Sequence, residues 1–334
     1  MKTVLPKSTI SRRRFVAALG GAAAWRCAAP AVAAEAWPSR PVTIICPFTA
    51  GLSTDILIRL VAAALSDNFG QNFIVENRPG ANGNIGAAVA AKATPDGYTL
   101  LIGTVGPMVN NKFMYKDMNF DPDKNFAPIA LLASSPLFIV GSPKIPPVNF
   151  KELVAYAKGN AVRLNAGTVG IGSQAHITIE LVNKLAGISI GHVPYRVTTQ
   201  ALPDLISGDL QLAFLYIPTF VPNVQSGMIR GLAVTSPDRL PDLPDVPTVA
   251  ESGLAGFEAS GWNALFAPAG TPREIVDKVN TVVNTYLKSD IGKEQLRKIW
   301  MSPRGGTPEQ LKAYLQSENA KWGPIIKDAN ISLQ

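Results

Sequence analysis

The sequence predicts an α/β protein built as two domains. Three observations carry this. The chain has 334 residues, enough for two cores at roughly 100–200 residues per domain. Hydrophobic residues make up 47% and charged residues 16%, a globular composition that excludes disorder, fibres and a polytopic membrane protein. Short β-branched runs alternate with stretches of helical period, the rhythm of α/β layers.

The elements follow in order. Val42–Cys46 is continuous and β-branched, as a buried parallel strand should be. After the loop Pro47–Leu52, the apolar positions Ile56, Leu57, Leu60, Val61, Ala64 and Leu65 recur at helical spacing, with Ser53 placed to cap the helix. Phe73–Val75 is a strand that leads through Asn77-Arg78-Pro79-Gly80-Ala81-Asn82-Gly83 into a helix near Ile85–Ala93, and Tyr98–Ile102 is the third strand. Strands are expected near Ile129–Leu132 and Leu137–Val140, then a helix over Phe150–Lys158. Arg163–Ala166 is a strand ending in a glycine-rich loop, and His176–Leu185 is the helix after it. His192–Tyr195 leads to a helix near Thr199–Ser207, and Gln211–Tyr216 and Gly231–Thr235 are further strands. The C-terminal region is helical: Thr271-Pro272-Arg273-Glu274 and Thr307-Pro308-Glu309-Gln310 both match a capping box with proline at the first helical position.

The net charge of +7 is localised. Residues 1–34 hold Lys2, Lys7, Arg12, Arg13, Arg14 and Arg26 and no acid; the remainder carries 25 basic against 24 acidic residues. The rest of the chain therefore has no electrostatic case for nucleic acid. The first 34 residues predict an export signal: a basic region, the apolar run Phe15–Trp25, too short to span a bilayer, and small-residue cleavage sites near Ala33-Ala34. Ser11-Arg12-Arg13-Arg14-Phe15-Val16 resembles a twin-arginine signal, the alternative being a general secretory signal with an incidental arginine pair. Either predicts a periplasmic mature protein. Cys27 would leave with the signal, and Cys46, alone in an apolar stretch, is expected to be an inert core residue.

Two strand–loop–helix units could carry chemistry: Cys46–Thr54 and Gly167–His176. In each, glycines permit close backbone approach, hydroxyls supply donors, and a helix N-terminus points at the loop. That is an anion site made of neutral donors, suited to a carboxylate or a phosphate, although α/β loops also use Gly and Ser merely to turn into a helix. Gly170-Ile171-Gly172-Ser173-Gln174-Ala175 matches a dinucleotide fingerprint, but the ribose-binding acid expected about 20 residues on is missing. Catalytic and metal constellations are thin. The two histidines, His176 and His192, form no zinc motif, and Ser173 is not in a Gly-x-Ser-x-Gly elbow. A hydrolase using Ser173 and His176 is the alternative enzyme reading, without an evident orienting acid. Arg78 and Arg196 could pair with a carboxylate, His192 is expected at a strand end, and Trp262 and Tyr216 are read as packing residues.

These loops belong to a wider resemblance. Trp37–Val42, Pro47–Asp55, Val75–Gly86, Pro95–Leu100, His192–Arg196, Asp245–Glu251 and Ala267–Pro272 occur in the order seen in substrate-binding proteins of the tripartite tricarboxylate transporter family, the Bug (TctC-like) receptors. The chain resembles them over residues 36–334. The resemblance implies a type II-like periplasmic binding fold of two lobes that close like a flytrap on a ligand cleft, lobe 1 holding 36–134 plus 262–334 and lobe 2 holding 135–261. It implies a non-catalytic receptor without cofactor or metal, a monomer. Its partners would be a small carboxylate (a dicarboxylate, a tricarboxylate or an aromatic acid) and the permease subunits of a tripartite transporter, or no permease where the receptor is an orphan. The ligand-binding residues implied are Phe48, Thr49, Leu52, Ser53 and Thr54 in the first loop, Thr104 and Gly106 after the third strand, Thr168, Gly170, Gly172, Ser173 and His176 in the second loop, and Tyr195. The chain departs from the family at Leu52 and Val197, where glycine is usual. Leu52 limits positive φ at that point and predicts a ligand with an apolar or aromatic portion rather than a compact acid such as citrate.

Overall fold

The computed structural model describes residues 2–3, 37–159, 164–195 and 200–333. The export signal with its cleavage sites and Cys27, as well as Arg163, Arg196, Val197 and Thr199, lie outside the described residues. The chain divides into residues 1–39 and a second compact unit, 40–334. Among the described residues no helix is long and apolar enough to cross a membrane.

Two mixed sheets organise this unit. The first uses β1 (Val42–Cys46), β2 (Phe73–Asn77), β3 (Thr99–Thr104), β4 (Phe126–Ser135), β10 (Gly261–Pro268) and β11 (Ser302–Pro303) in the order β11-β4-β10-β3-β1-β2. The second uses β5 (Leu137–Gly141), β6 (Leu164–Thr168), β7 (Ile190–Pro194), β8 (Leu212–Tyr216) and β9 (Arg230–Val234) in the order β7-β6-β8-β5-β9. β1 runs parallel to β2 and β3, and β6 parallel to β7 and β8, while β10 and β5 are antiparallel to both neighbours. Parallel neighbours require crossover helices. The crossovers are α1 (Ser53–Phe69) and α2 (Asn84–Ala91) in the first half and, in the second, α4 (Gln174–Ala186) and α5 (Ala201–Ser207), which follow α3 (Phe150–Gly159); α6 (Val221–Gln225) comes after β8, and α7 (Arg273–Lys288), α8 (Asp290–Lys298) and α9 (Pro308–Asp328) come after the return. Gly86 lets α2 lie directly on the β1 loop, since a Cβ there would sit 2.8 Å from the Pro47 Cα.

The chain leaves the first sheet at Pro136 and returns between Val234 and Gly261. The two crossings lie side by side, because Gly261 pairs with Ser135 across the β10–β4 ladder. Thr235 ties them together. Its buried hydroxyl accepts the Leu137 N–H at 2.8 Å and donates to the Ala259 carbonyl at 3.0 Å.

Most periodic elements fall where the sequence places them. β10 is an addition: it is buried on both faces, so it lacks the alternation that marks a half-exposed strand. Two caps differ from expectation. Leu52, not Ser53, is the residue before α1, and no side chain caps it. The Asp55 carboxylate accepts the Gly51 N–H instead, at 2.8 Å. At α7 the Thr271 hydroxyl is taken by the Pro268 carbonyl at 2.8 Å, so no capping box forms there; the box at Thr307 and Gln310 is complete. His192 lies in the middle of β7 rather than at its end.

Candidate functional site

The ends of strands from both sheets enclose a cavity of about 380 Å³. Its polar wall includes Ser53, Thr54 and Asn82, then Thr104 at the end of β3 and Asn110 beyond it, and Ser135, Ser173, Gln174 and Asn263. Its apolar wall includes Phe48, Leu52, Ile217, Pro218, Trp262, Ile299, Trp300 and Met301. Among the described residues that line it, none is a lysine, arginine, histidine, aspartate or glutamate. Tyr216 also lines it; burial pushes its phenol up to about 12, and like any phenol it is an O–H donor at neutral pH.

The β1–α1 loop is held from behind by one carboxylate. Asp55 accepts from Gly51 N at 2.8 Å, Arg59 Nε at 3.0 Å and Asn77 Nδ2 at 2.8 Å. Burial alone would push this carboxyl up, but the hydrogen bonds from Arg59, Gly51 and Asn77 outweigh it and hold it below its ordinary value. Asn77 Nδ2 also donates to the Phe48 carbonyl at 3.0 Å. Gly51 takes the positive φ, +83°, while Leu52 sits at −78°. The departure from glycine at Leu52 therefore needs no left-handed backbone, and the side chain stands 55% exposed beside the cavity. Thr54 Oγ1 donates across to Asn263 Oδ1 at 3.0 Å.

The glycine loop after β6 is held by the two histidines. His176 Nδ1 accepts the Gly172 N–H at 3.1 Å, and His192 Nε2 lies 2.6 Å from Thr168 Oγ1. The imidazoles stack at 3.7 Å, tilted by 16°. Burial lowers both from the usual 6.5 to about 4, and each His192 proton is further opposed by its neighbour His176. Both rings are thus neutral at physiological pH. Ser173 caps α4, its hydroxyl accepting the His176 N–H at 3.2 Å. With His176 Nδ1 engaged by Gly172 and Nε2 at 3.9 Å from Glu180, no serine–histidine pair of the hydrolytic kind is assembled.

Of the residues that the sequence nominates, Phe48, Leu52, Ser53, Thr54, Thr104, Gly106, Gly172 and Ser173 line the cavity. Thr49, Thr168, Gly170, His176 and Tyr195 do not. Thr49 is exposed; Thr168 is turned to His192 and to Gly170, whose N–H donates to it; His176 supports the loop from beneath; and Tyr195 donates to Asp204 at 2.6 Å. Arg78 is paired with Glu76. Trp262 is both packed and lining: its indole donates to buried Glu318 at 2.9 Å, and Trp322 donates to the same oxygen at 3.0 Å.

Sequence reasoning missed Asn110 and Gln174. They lie 64 residues apart and meet only in the fold, where Asn110 Nδ2 donates to Gln174 Oε1 at 3.0 Å between the two sheets' loops. Asn110 Oδ1, Gln174 Nε2 and Ser135 Oγ are buried in the cavity wall without a hydrogen-bond partner. A buried polar atom left so costs about 1–3 kcal/mol, which a ligand group of the right kind would recover. Among the described residues no cluster of three His, Cys, Asp or Glu side chains could hold a metal.

A second feature has no sequence signal either. α8 ends in a Schellman turn, with Met301 N donating to Leu296 O and Trp300 N to Arg297 O, both at 3.0 Å. The left-handed position of that turn, usually glycine, is Trp300 at φ +57°. A bulky side chain there costs about 1–2 kcal/mol of backbone strain.

Comparison with known proteins decides the family. The model described as the tripartite tricarboxylate transporter family receptor matches residues 57–331. The chain belongs to this family of receptors. It is 32% identical to protein BugT of Bordetella pertussis, over 96% of this chain and 99% of that one. Among solved structures, Rpa4515 of R. palustris with adipate is 39% identical with a TM-score of 0.76, covering 89% of this chain and 99% of that one. MatC (Rpa3494) from Rhodopseudomonas palustris with bound malate is 32% identical with a TM-score of 0.71, covering 87% and 100%. The fold of this receptor is accordingly the two-lobed solute-binding fold, with the cavity lined by residues at strand ends of both its sheets.

Proposed function

We propose that this receptor binds a small organic carboxylate in the periplasm and presents it to a membrane permease of the tripartite tricarboxylate type. The observation that carries the reading is the uncharged cavity at the N-termini of α1 and α4, with the Gln174 amide and the Ser135 hydroxyl buried in its wall unpartnered. The first N–H groups of a helix have no partner inside the helix, and the helix dipole favours an anion beside them. Neutral donors hold a carboxylate without the desolvation cost of a buried lysine or arginine, so release to a partner is not opposed by a buried ion pair. The two relatives solved with adipate and malate make a carboxylate the first class to test. In this reading lobe 1 comprises 36–134 and 262–334, lobe 2 comprises 135–261, and the paired crossings at Ser135 and Gly261 are the hinge about which they close. The receptor acts as a monomer without cofactor or metal.

The test is thermal unfolding against mono-, di-, tricarboxylic and aromatic acids, alongside a turnover assay. A matched acid at 100 times its Kd should stabilise the protein by about 2.7 kcal/mol. If no carboxylate shifts the transition and a hydrolysable ester is turned over, the receptor reading fails.

A further inference from the structure

We propose that the ligand is a monocarboxylate with a large apolar body, and that Trp300 is the residue that selects it. The inference rests on the carboxylate reading above.

The strand order separates the cavity into two ends. The α1 N-terminus follows β1, whereas Ile299–Met301 lead directly into β11, four strand positions away in the first sheet. At roughly 4.8 Å per strand β1 and β11 lie about 19 Å apart, but Thr54 in the first turn of α1 reaches Asn263 on β10, two strands or about 10 Å from β11. Across the cleft, Ile217 and Pro218 continue from the end of β8, and Trp300 packs against the second sheet's apolar cluster, which includes Phe138 and Phe220. Most donors capable of holding a carboxylate gather at the helix N-termini, while the Ser135 hydroxyl on β4 and the Tyr216 hydroxyl on β8 lie toward the β11 end. The β11 end offers indole, aliphatic and proline surface, and no cation among the described lining residues. A second carboxylate carried to that end would meet only those two hydroxyls, with neither a helix N-terminus nor a cation to offset its desolvation. An alkyl chain or aromatic ring would bury its surface there at no such cost.

The backbone supports the same assignment. The Schellman position of α8 demands a left-handed residue, and glycine would satisfy it without strain. The chain instead puts its largest side chain there, so the indole's contacts with the cavity and with the opposite lobe outweigh the strain. Leu52, half exposed at the N-terminus of α1, adds a further apolar surface on the path into the cavity.

Calorimetry on the purified protein with 3-phenylpropanoate, hexanoate, succinate and citrate tests the proposal. The first two should bind about tenfold or more tighter than succinate and citrate. Trp300→Gly suits the backbone and should weaken 3-phenylpropanoate by about 5–30-fold while changing succinate less than about twofold. Leu52→Ser, at an exposed position where serine is a good cap, is a second variant that preserves folding; it should weaken 3-phenylpropanoate by about 3–10-fold, again selectively. Equal shifts for 3-phenylpropanoate and succinate in both variants, or tighter binding of succinate or citrate by the wild type, would overturn the assignment and leave the receptor reading standing. Binding of none of the four, with no shift by any other acid, would remove the carboxylate reading and this inference together.

Discussion

Asn110 and Gln174 form a carboxamide pair that joins the loop after β3 to the loop after β6 at the cavity wall and leaves one acceptor and one donor buried and unmatched. Rotating both amides together exchanges the roles of the two side chains but still presents one of each, so the pair always offers a donor to a carboxylate oxygen. Gln174→Ala should therefore weaken a bound carboxylate by about 1–3 kcal/mol, read as the change in Kd by calorimetry. An unchanged Kd would mean that the amide meets water rather than ligand. Ser173→Ala should behave differently, because the hydroxyl caps α4. Losing the cap should cost about 0.5–2 kcal/mol of unfolding free energy in urea titration, ligand present or absent. Thr168, which the sequence offers as a ligand group, is fully buried against His192, so Thr168→Val should act on the loop and not on the ligand. Cys46, the core thiol expected from its apolar neighbours, is buried and outside any disulfide, and burial pushes its thiol up.

At the scale of elements, the glycine loop stands on a pair of histidines and therefore depends on pH. Both rings are held near 4 in the folded protein against 6.5 when unfolded. Between those values the unfolded chain takes up protons that the native loop refuses. Stability should be complete above about pH 6.5, fall as pH drops towards 4, and level off below it as far as these two groups are concerned. Unfolding free energies measured from pH 8 to 4 should show this slope, and His176→Asn with His192→Asn should flatten it. α9 carries another liability. Glu318 accepts both the Trp262 and the Trp322 indole N–H, so Glu318→Ala should cost roughly 2–4 kcal/mol by stranding two buried donors, while Glu318→Gln, which keeps an acceptor, should cost less than half of that. Much of this architecture was legible in the chain. The β-branched runs at Val42–Cys46 and Leu137–Val140 and the capping box at Thr307 name their own structures because their signals are local. β10, buried on both faces, carries no alternation, and the Asp55 network replaces a cap that Ser53 could have supplied. Asn110–Gln174 and the left-handed Trp300 arise from contacts between distant segments, for which local spacing gives no warning.

For the whole molecule, the family resemblance carried by segments such as Pro47–Asp55 and Val75–Gly86 corresponds to the receptor family found by comparison. The proposed site of action depends on residues 1–34, where six basic side chains stand without an acid. Arg12→Lys with Arg13→Lys retains the charge and removes the paired guanidinium groups; precursor should accumulate in the cytoplasm, seen by fractionation and immunoblot. Normal export of that variant would assign the signal to the general secretory route. Closure about Ser135 and Gly261 should also respond to Thr235, whose hydroxyl joins the two crossings. Thr235→Val should leave the cavity residues in place but slow ligand association and release together, a change visible in stopped-flow traces. The placement of the indoles makes such traces available without any label. Trp300 lines the cavity and is only partly buried, whereas Trp262, which also lines it, and Trp322 are fully buried. When an apolar ligand replaces water at Trp300, its emission should move to shorter wavelength, while Trp37, Trp262 and Trp322 supply a nearly constant background. The receptor thus carries its own optical readout of occupancy, and the same tryptophan proposed to choose the ligand would report its arrival.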